Sequence, residues 1–251
     1  MEISSDLNLA ITAAINAGNA VMEVYNSSEY NIQFKKDKSP VTKADLIANE
    51  IICNQLKHTL IPILSEENRR ISYDSRKNWK RFWLIDPLDG TKEFINKTGE
   101  FTINIAQVID NKPHLGVIYC PVLKRLYYAE KSKGAYMSLI QNQSLDFNNV
   151  IKLTSNLITS KKVILVSRSH LSKKAKDFII ENDHLEVKQV GSSFKFCLLA
   201  EGEAMFYPRF APIMEWDIAA GIIILEEARV YKSKNISFNT KSLTLEIDLF
   251  K

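Results

Sequence analysis

Hydrophobic and polar residues alternate at helical spacing over the first part of the chain. Small and apolar side chains fall on one face of a predicted helix from Leu7 to Tyr25. A second helix is predicted to begin at Thr42, because Thr42 and Asp45 resemble a capping box in which Asp replaces the usual Glu, and an apolar stripe continues to Leu56. Asp45 therefore has a structural interpretation as a helix cap.

The pattern then changes to short apolar runs and alternating segments. The runs 61–64 and 82–85 predict short buried strands, and the β-rich segments 101–108, 115–119 and 125–129 predict an antiparallel meander. Further along, the chain predicts a loop, then strands and helices in alternation: loop 141–149, strand 163–166, helices 172–182 and 194–200, strand 204–207 and helix 217–228. Strands and helices in both halves favour an α+β or α/β fold of layered sheets and helices.

Composition narrows the class of protein. A chain of 251 residues with 45% hydrophobic and 25% charged residues is typical of one globular enzyme with a sizeable core. The longest apolar run, 218–225, is too short to span a bilayer, and the first residues lack the features of a signal peptide, so we expect a cytoplasmic protein. The net charge of +4 is spread along the chain, which favours a solvated surface over a nucleic-acid site.

The cysteines add no further chemistry. Cys53, Cys120 and Cys197 are scattered and contain no C-x-x-C pair, which argues against a disulfide framework and against a zinc site. We expect buried thiols in a reducing compartment.

A tight turn at residues 86–91 carries two carboxylates. Its proline fixes its own φ and its glycine permits unusual backbone angles, so Asp86, the Leu88 carbonyl and Asp89 can converge on one small space. Oxygen ligands of this kind suit Mg²⁺. Ordinary turn chemistry is the alternative interpretation, because Asp, Pro and Gly are common turn formers.

Two further acidic segments strengthen the metal hypothesis. Glu66 and Glu67 follow the run 61–64, so two strand ends would offer carboxylates to one cleft. Asp217 opens a stretch of small residues that predicts the start of a closely packed helix. An Asp in the first turn of a helix also suits the helix dipole, which is its structural interpretation.

These segments resemble the motifs of the Mg²⁺-dependent, lithium-sensitive phosphatases of the inositol monophosphatase superfamily. The turn 86–91 matches D-P-[LI]-D-G-[TS], and 216–220 matches W-D-x-[AS]-[AG]. Additional segments resemble the 3'(2'),5'-bisphosphate nucleotidase branch of that superfamily, and they are 89–94, 99–106, 167–170, 191–197, 200–202, 207–209 and 215–217. The resemblance covers roughly residues 13–227.

The resemblance implies a layered αβαβα sugar-phosphatase fold in one compact unit. An N-terminal α+β half, 1–150, would carry most metal ligands, and a C-terminal α/β half, 151–251, would contribute Asp217 and the residues of substrate specificity. Two or three Mg²⁺ ions would be bound by the residues at the family's ligand positions, which are Glu66, Asp86, the Leu88 carbonyl, Asp89 and Asp217. Glu67 is the less favoured ligand of its pair.

The implied mechanism is attack on phosphorus by a metal-activated water, without a covalent intermediate. Thr91 and the acid at the position of Asp45 would orient or deprotonate that water, and Glu66 completes the implied catalytic group. The backbone N–H groups of Gly90 and Thr91 would contact phosphate oxygens if they open a helix.

The implied substrate is adenosine 3',5'-bisphosphate (PAP), whose 3'-phosphate is removed to leave AMP during sulfur assimilation. Ser192, Ser193 and Lys195 are the candidates for binding the second phosphate and the nucleoside, with Arg209 and His170 as secondary ones. Solvated charges and a helix cap are the structural alternatives. The other residues that the resemblance implies in substrate binding are Glu66, Leu88, Asp89, Gly90, Thr91 and Asp217.

Three alternatives remain open from the sequence. An inositol monophosphatase or broad sugar phosphatase would share every metal ligand, although 92–94 and 191–197 argue against it. A noncatalytic regulator that binds a phosphorylated metabolite would be expected to have lost a ligand. Proteins of the nucleotidase branch are described as cytoplasmic or peripheral on the inner membrane, so peripheral contact is an alternative location, and the oligomeric state is open.

The tail departs from the family pattern. Family members usually carry paired glycines after the late helix, where this chain has 226–229, and a Gly-Lys-Pro-Leu-like turn, where this chain has 235–240. We therefore expect the C-terminal strands to differ in detail from those of the family.

Overall fold

The structure is a computed structural model that describes residues 3–27, 32–34, 40–68, 71–141, 144–155, 162–168, 171–232 and 236–245. Its α-helices are α1 Ser5–Ser27, α2 Lys43–Leu56, α3 Tyr73–Arg76, α4 Thr91–Ile95, α5 Lys173–Glu181, α6 Phe194–Ala200 and α7 Glu215–Glu227. Its strands are β1 Gln33–Phe34, β2 Pro40–Val41, β3 Ile63–Ser65, β4 Arg81–Asp89, β5 Thr102–Ile109, β6 Lys112–Cys120, β7 Arg125–Glu130, β8 Gly134–Gln141, β9 Ser144–Leu153, β10 Val163–Val166, β11 Glu186–Gln189, β12 Ile213–Met214 and β13 Thr244–Leu245.

A seven-stranded sheet with the order β3-β4-β5-β6-β7-β8-β9 forms the centre of the molecule. Strands β3 and β4 are parallel, and each following neighbour pairs antiparallel. Because β3 and β4 run in the same direction, their carboxyl ends meet at one edge of the sheet. The residues that follow them therefore lie close together.

Helices cover both faces of this sheet, and the alternation of side chains along β4 shows why. Trp83 and Ile85 are buried in a cluster with the apolar faces of α1 and α2, whereas Phe82 and Leu84 are buried in a second cluster with α7. Successive residues of a strand point to opposite faces, so a continuous apolar run belongs to a strand that is buried on both sides.

Helix α7 lies unusually close to the sheet because glycine and alanine meet at the contact. A Cβ atom on Gly116 of β6 would lie 2.8 Å from both the Cα and the carbonyl oxygen of Ala220. On α7, a Cβ atom on Gly221 would lie 2.4 Å from the ring of Phe196 on α6. These contacts fix α7 between the sheet and α6, and with it the first turn of α7.

A second, smaller β layer completes the fold. Strand β10 pairs parallel with β11, and α5 connects them and packs on them through Phe178 and neighbouring apolar residues. Helices α1 and α2, the large sheet, α6 with α7, the pair β10–β11 and α5 thus form alternating layers. None of the helices within the described ranges is long and apolar enough to cross a bilayer.

The predicted helices and most predicted strands are confirmed. Helix α2 begins with the capping box in which Asp45 bonds back to the Thr42 backbone, and α7 begins two residues before the predicted Asp217. The predicted loop 141–149 is wrong, because β8 and β9 form a hairpin there. β9 is the outer strand of the sheet, so its polar residues need not be buried. The predicted strand 204–207 is also wrong, since it forms only an isolated bridge between Phe206 and Ile164.

The tail is connected to α7 by a buried carboxylate. Glu215 accepts hydrogen bonds from the backbone N–H groups of Asn239 and Thr240, each at 2.7 Å, and from the Thr240 hydroxyl at 2.6 Å. Arg76, which is also buried, donates to the Asn239 side chain at 2.7 Å and to the Thr240 carbonyl at 2.8 Å. Side-chain hydrogen bonds thus hold the turn at 239–240, where the family's glycine-rich turn is missing. Arg229 ends α7 at φ 60°, a left-handed conformation that usually requires glycine.

Candidate active site

The carboxylates predicted to bind metal lie at the edge where β3 and β4 end. Glu66 directly follows β3, and Asp86 and Asp89 lie on the last residues of β4, where the pairing with β5 shifts register between them. Gly90 then takes φ 94° and caps α4, which begins at Thr91. A shift of this kind allows two residues three apart in a strand to face the same side of its end.

Gly90 is required for close packing as well as for its backbone angle. A Cβ atom there would lie 3.1 Å from the Glu100 carbonyl oxygen and 3.2 Å from the Ser192 Cβ, at a φ that side chains rarely adopt. The turn therefore lies directly against the segment that precedes α6. Between them is a cavity of about 430 Å³, lined among others by the predicted metal ligands Glu66, Asp86, Leu88, Asp89 and Asp217.

The acids of this cavity raise one another's proton affinity. Burial raises the pKa of Asp86 well above its usual value, and the charges of Glu66, Asp89 and Asp217 raise it further. Burial also raises the pKa of Asp217, with added contributions from Asp89 and Glu66. Burial likewise raises the pKa of Asp89, although hydrogen bonds from Ser193 and the nearby charge of Lys195 oppose the shift. Like charges this close require a cation or protons to coexist.

The donor set fits a hard divalent cation. All candidate ligands are oxygens, and the Leu88 carbonyl lies 3.4 Å from the Thr91 hydroxyl, which donates to it. In the part of the chain that is described, no three His, Cys, Asp or Glu side chains converge closely enough to form a ready coordination sphere. Oxygen ligands and dense negative charge favour Mg²⁺-like ions over thiol-binding metals.

Asp45 contacts both its helix cap and the cavity turn. Its Oδ2 accepts from the Thr42 backbone N–H at 2.7 Å and from the Thr42 hydroxyl at 2.6 Å, and its Oδ1 accepts from the Thr91 hydroxyl at 3.0 Å. Burial is the largest cause of a rise in the pKa of Asp45 to about 6, which the bonds from Thr42 oppose and the charge of Glu67 assists. One residue therefore joins α2 to the turn at Thr91.

The predicted substrate-binding residues differ in how far their polar groups are available to the cavity. Ser192 and Arg209 line the cavity, and the buried Nε of Arg209 has no hydrogen-bond partner among the described residues. Ser193 and Lys195 also border the cavity but are 2% and 4% exposed, and their polar groups bond to the protein. His170 lies outside the described residues.

Lys195 is held by the backbone. Its Nζ donates to the Val190 carbonyl at 3.0 Å and to the Ser192 carbonyl at 2.7 Å, and it lies 5.2 Å from the centre of the Tyr207 ring. At most one proton of the ammonium group remains for a ligand. Its positive charge still acts on Asp89, where it opposes the rise in pKa that burial causes.

Sequence reasoning missed a pair of charged residues at the cavity. Arg168 lines the cavity, and its guanidinium forms two hydrogen bonds to Glu100, at 2.8 and 2.7 Å. Glu100 also accepts from the Gly191 backbone N–H at 2.8 Å. Lys92 is a further exposed cation on the cavity wall. Arg168 and Glu100 belong to segments that carry the family resemblance, so their segments were identifiable, but their pairing was not.

Comparison with known proteins agrees with the fold and site. The Inositol monophosphatase family model matches residues 2–229, so the chain belongs to the inositol monophosphatase family, whose members are metal-dependent phosphatases. The layered fold expected from the resemblance is confirmed. This chain superposes on the crystal structure of CysQ from Bacteroides thetaiotaomicron, a bacterial member of the family, with a TM-score of 0.83 and 37% sequence identity. The superposition covers 96% of this chain and 94% of that chain.

Curated relatives carry a more specific name. The 3'(2'),5'-bisphosphate nucleotidase CysQ of Salmonella typhimurium is 41% identical over 211 residues, which are 83% of this chain and 82% of the relative. The 3'(2'),5'-bisphosphate nucleotidase CysQ of Buchnera aphidicola is 37% identical over 236 residues, or 91% of this chain and 86% of the relative. The expected resemblance to this branch of the family is thus confirmed.

Proposed function

We propose that this chain is a Mg²⁺-dependent phosphatase that hydrolyses the 3'-phosphate of adenosine 3',5'-bisphosphate to leave AMP, in the recycling of that nucleotide during sulfur assimilation. The observation that carries the proposal is the cavity at the ends of β3 and β4, where carboxylates from both strand ends and from α7 face the cationic side chains of Arg168 and Arg209. The names of the curated relatives support the choice of a nucleotide.

The metal ligands that we propose are those implied by the sequence, and they are Glu66, Asp86, the Leu88 carbonyl, Asp89 and Asp217. Two or three Mg²⁺ ions held there would lower the pKa of a bound water and neutralise charge on the leaving oxygen. The raised pKa values of Asp86 and Asp217 support this assignment, since cations would replace the protons that these buried acids otherwise hold.

Asp45 and Thr91 act as the proton acceptor for the attacking water. The Thr91 hydroxyl donates to Asp45, so the lone pairs of its oxygen can accept a hydrogen bond from the water, and the proton released in the attack passes toward Asp45. Both donors on Oδ2 of Asp45 come from Thr42, which orients the carboxylate without engaging Oδ1. A pKa of about 6 leaves Asp45 ionised at neutral pH and still a competent base.

The second phosphate of the substrate requires cations beyond the metal ions. Among the described residues no group bonds to the buried Nε of Arg209, and Arg168 and Lys92 are solvent-accessible. These three side chains are therefore better placed to contact a phosphate directly than the buried Lys195. Lys195 contributes its charge at a distance. Ser192 borders the same cavity, and its hydroxyl accepts a hydrogen bond from the Phe194 backbone N–H at 3.3 Å.

Phosphate release from adenosine 3',5'-bisphosphate and from inositol 1-phosphate, with and without Mg²⁺, tests this function. We expect Mg²⁺-dependent turnover with a strong preference for the nucleotide, and loss of turnover in Asp89→Asn. A preference for inositol 1-phosphate would retain the metal site and overturn the substrate assignment. Absence of turnover with both would instead support a binding protein.

Cytoplasmic location and the division into halves at residue 150 stay predictions.

A further inference from the structure

Ser193 connects two of the proposed metal ligands. Its backbone N–H donates to Oδ2 of Asp89 at 2.6 Å, and its hydroxyl lies 2.5 Å from the same oxygen and 2.8 Å from the carbonyl oxygen of Asp217. Asp89 ends β4, Asp217 lies in the first turn of α7, and Ser193 immediately precedes α6. One buried serine, 2% exposed, thus joins three elements at the acidic cavity.

We propose that Ser193 is a positioning residue that determines which oxygen of Asp89 faces the metal and how far Asp89 lies from Asp217. This inference rests on the metal site of the proposed function. It replaces the interpretation of Ser193 as a substrate-binding residue, because its hydroxyl and its N–H are engaged with the protein at the acids.

The hydrogen bonds on Asp89 distinguish its two oxygens. Oδ2 accepts a bond from the Ser193 backbone N–H at 2.6 Å, lies 2.5 Å from the Ser193 hydroxyl and lies 3.5 Å from the amide nitrogen of Asn104. Its lone pairs are therefore largely occupied, whereas Oδ1 is the oxygen that remains for a cation. A carboxylate fixed in this way is already oriented as a monodentate ligand, so less rotational freedom is lost on metal binding.

Asn104 keeps the serine in this orientation. It is 1% exposed on β5, and its amide donates to the Ser193 hydroxyl oxygen at 2.8 Å. Because Asn104 occupies a lone pair of that oxygen, the single hydroxyl proton is directed to the Asp89 carboxylate or the Asp217 carbonyl. Removing either side chain would therefore fix the orientation of the Asp89 carboxylate less firmly, although the bond from the Ser193 backbone N–H would remain.

The test is Mn²⁺ binding by calorimetry to metal-free protein, with no substrate present. Wild-type binding that Asp89→Asn abolishes establishes that the probe occupies the acidic cavity. Ser193→Ala is then expected to weaken Mn²⁺ binding by about 10–100-fold, the range found when a side chain that orients a metal ligand is removed. Wild-type affinity in Ser193→Ala would overturn the proposal.

A matched control separates positioning from general stability. Ser138 is an equally buried serine on β8, and its hydroxyl lies 3.4 Å from backbone carbonyls away from the acidic cavity. Ser138→Ala should lower the melting temperature and leave Mn²⁺ affinity within about twofold of wild type. An equal loss of affinity in Ser138→Ala would show that the effect of Ser193→Ala is one of stability alone and would refute the proposal.

A second variant decides the matter if Ser193→Ala does not fold cooperatively. Asn104→Ala leaves the serine in place but removes the hydrogen bond that fixes the orientation of its hydroxyl. We therefore expect Mn²⁺ affinity to fall by at least about threefold, but by less than in Ser193→Ala. Unchanged affinity in Asn104→Ala would then refute the inference. Since no substrate is used, a wrong nucleotide assignment leaves this result intact, and only a failure of wild type to bind Mn²⁺ at the acids would affect both.

Discussion

Replacing the buried acid of the proposed proton relay should increase stability and remove activity. Asp45 is 2% exposed, and its three hydrogen-bond donors among the described residues belong to Thr42 and Thr91, so an ionised carboxylate is held there with no basic partner among those residues. Asp45→Asn keeps the size and shape of the side chain. It removes the charge, and with it the ability to accept a proton.

The magnitude follows from the shift in proton affinity. The pKa of Asp45 rises from 3.8 to about 6 on folding, mainly because of burial. At about 1.4 kcal/mol for each pH unit, holding the charge in the folded protein at pH 7 costs about 3 kcal/mol. Between pH 3.8 and 6 the folded chain binds a proton that the unfolded chain has lost, so the free energy of unfolding falls as pH rises through this window. The free energy of unfolding of Asp45→Asn does not fall in this way, because the asparagine does not titrate.

Urea unfolding of the metal-free protein between pH 3 and 8 measures the effect. We expect the variant minus wild-type difference in the free energy of unfolding to be constant below about pH 3.8, to rise by about 3 kcal/mol through pH 6, and to be constant above it. At about 2 °C for each kcal/mol in a chain of this length, the melting temperature at pH 7 would rise by about 6 °C relative to that baseline. With Mg²⁺ and substrate, kcat should fall by about 10²- to 10⁴-fold.

A matched acid tests whether burial is the cause. Asp74 is 85% exposed and pairs with Lys77 at the surface. Asp74→Asn should change the free energy of unfolding at pH 7 by no more than about 0.5 kcal/mol, as is usual for a surface substitution. A flat difference curve for Asp45→Asn would refute the reasoning, because it would mean that burial does not penalise the charged form of Asp45.

Three further changes test the site and the packing around it. Asp86→Asn removes an acid that the metal-free protein must either protonate or hold as a buried charge, so the metal-free protein should be more stable at pH 7. Mg²⁺ should no longer raise the melting temperature of this variant, and retained Mg²⁺ stabilisation would exclude Asp86 as a ligand. Gly116→Ala brings a Cβ within 2.8 Å of the backbone of Ala220, which cannot move aside independently of α7. We expect the free energy of unfolding, measured in urea, to fall by about 3 kcal/mol, and a fall below about 0.5 kcal/mol would contradict the close contact. Arg229 takes φ 60° just after α7. Arg229→Gly should therefore be more stable than Arg229→Ala by about 1 kcal/mol. Equal melting temperatures of the two variants in calorimetry would show that the left-handed conformation carries no strain.

Local chemistry allowed much of this protein to be predicted from its sequence. The capping box at Thr42 and Asp45 involves residues three apart, so it was identifiable before the fold was known. The turn at 86–91 likewise has its glycine at the position that requires φ 94°. These features depend on neighbours in the chain, and the specific motifs that contain them also identified the family.

Contacts between distant segments were not predictable in this way. The hairpin of β8 and β9 was missed because an edge strand has little need of the apolar pattern that reveals a buried one. Arg168 and Glu100 are 68 positions apart, and no feature of either segment indicates that they pair.

The serine and lysine before and within α6 show the same division. The sequence alone determined that 191–197 belongs to the site, since the segment carries the family resemblance. Only the tertiary structure decided that the Ser193 hydroxyl bonds to Asp89, 104 positions away, and that Lys195 donates to the carbonyls of Val190 and Ser192. The direction in which a polar side chain bonds depends on which donors and acceptors packing places within about 3 Å of it, and that distance is set by the assembled layers rather than by the adjacent residues.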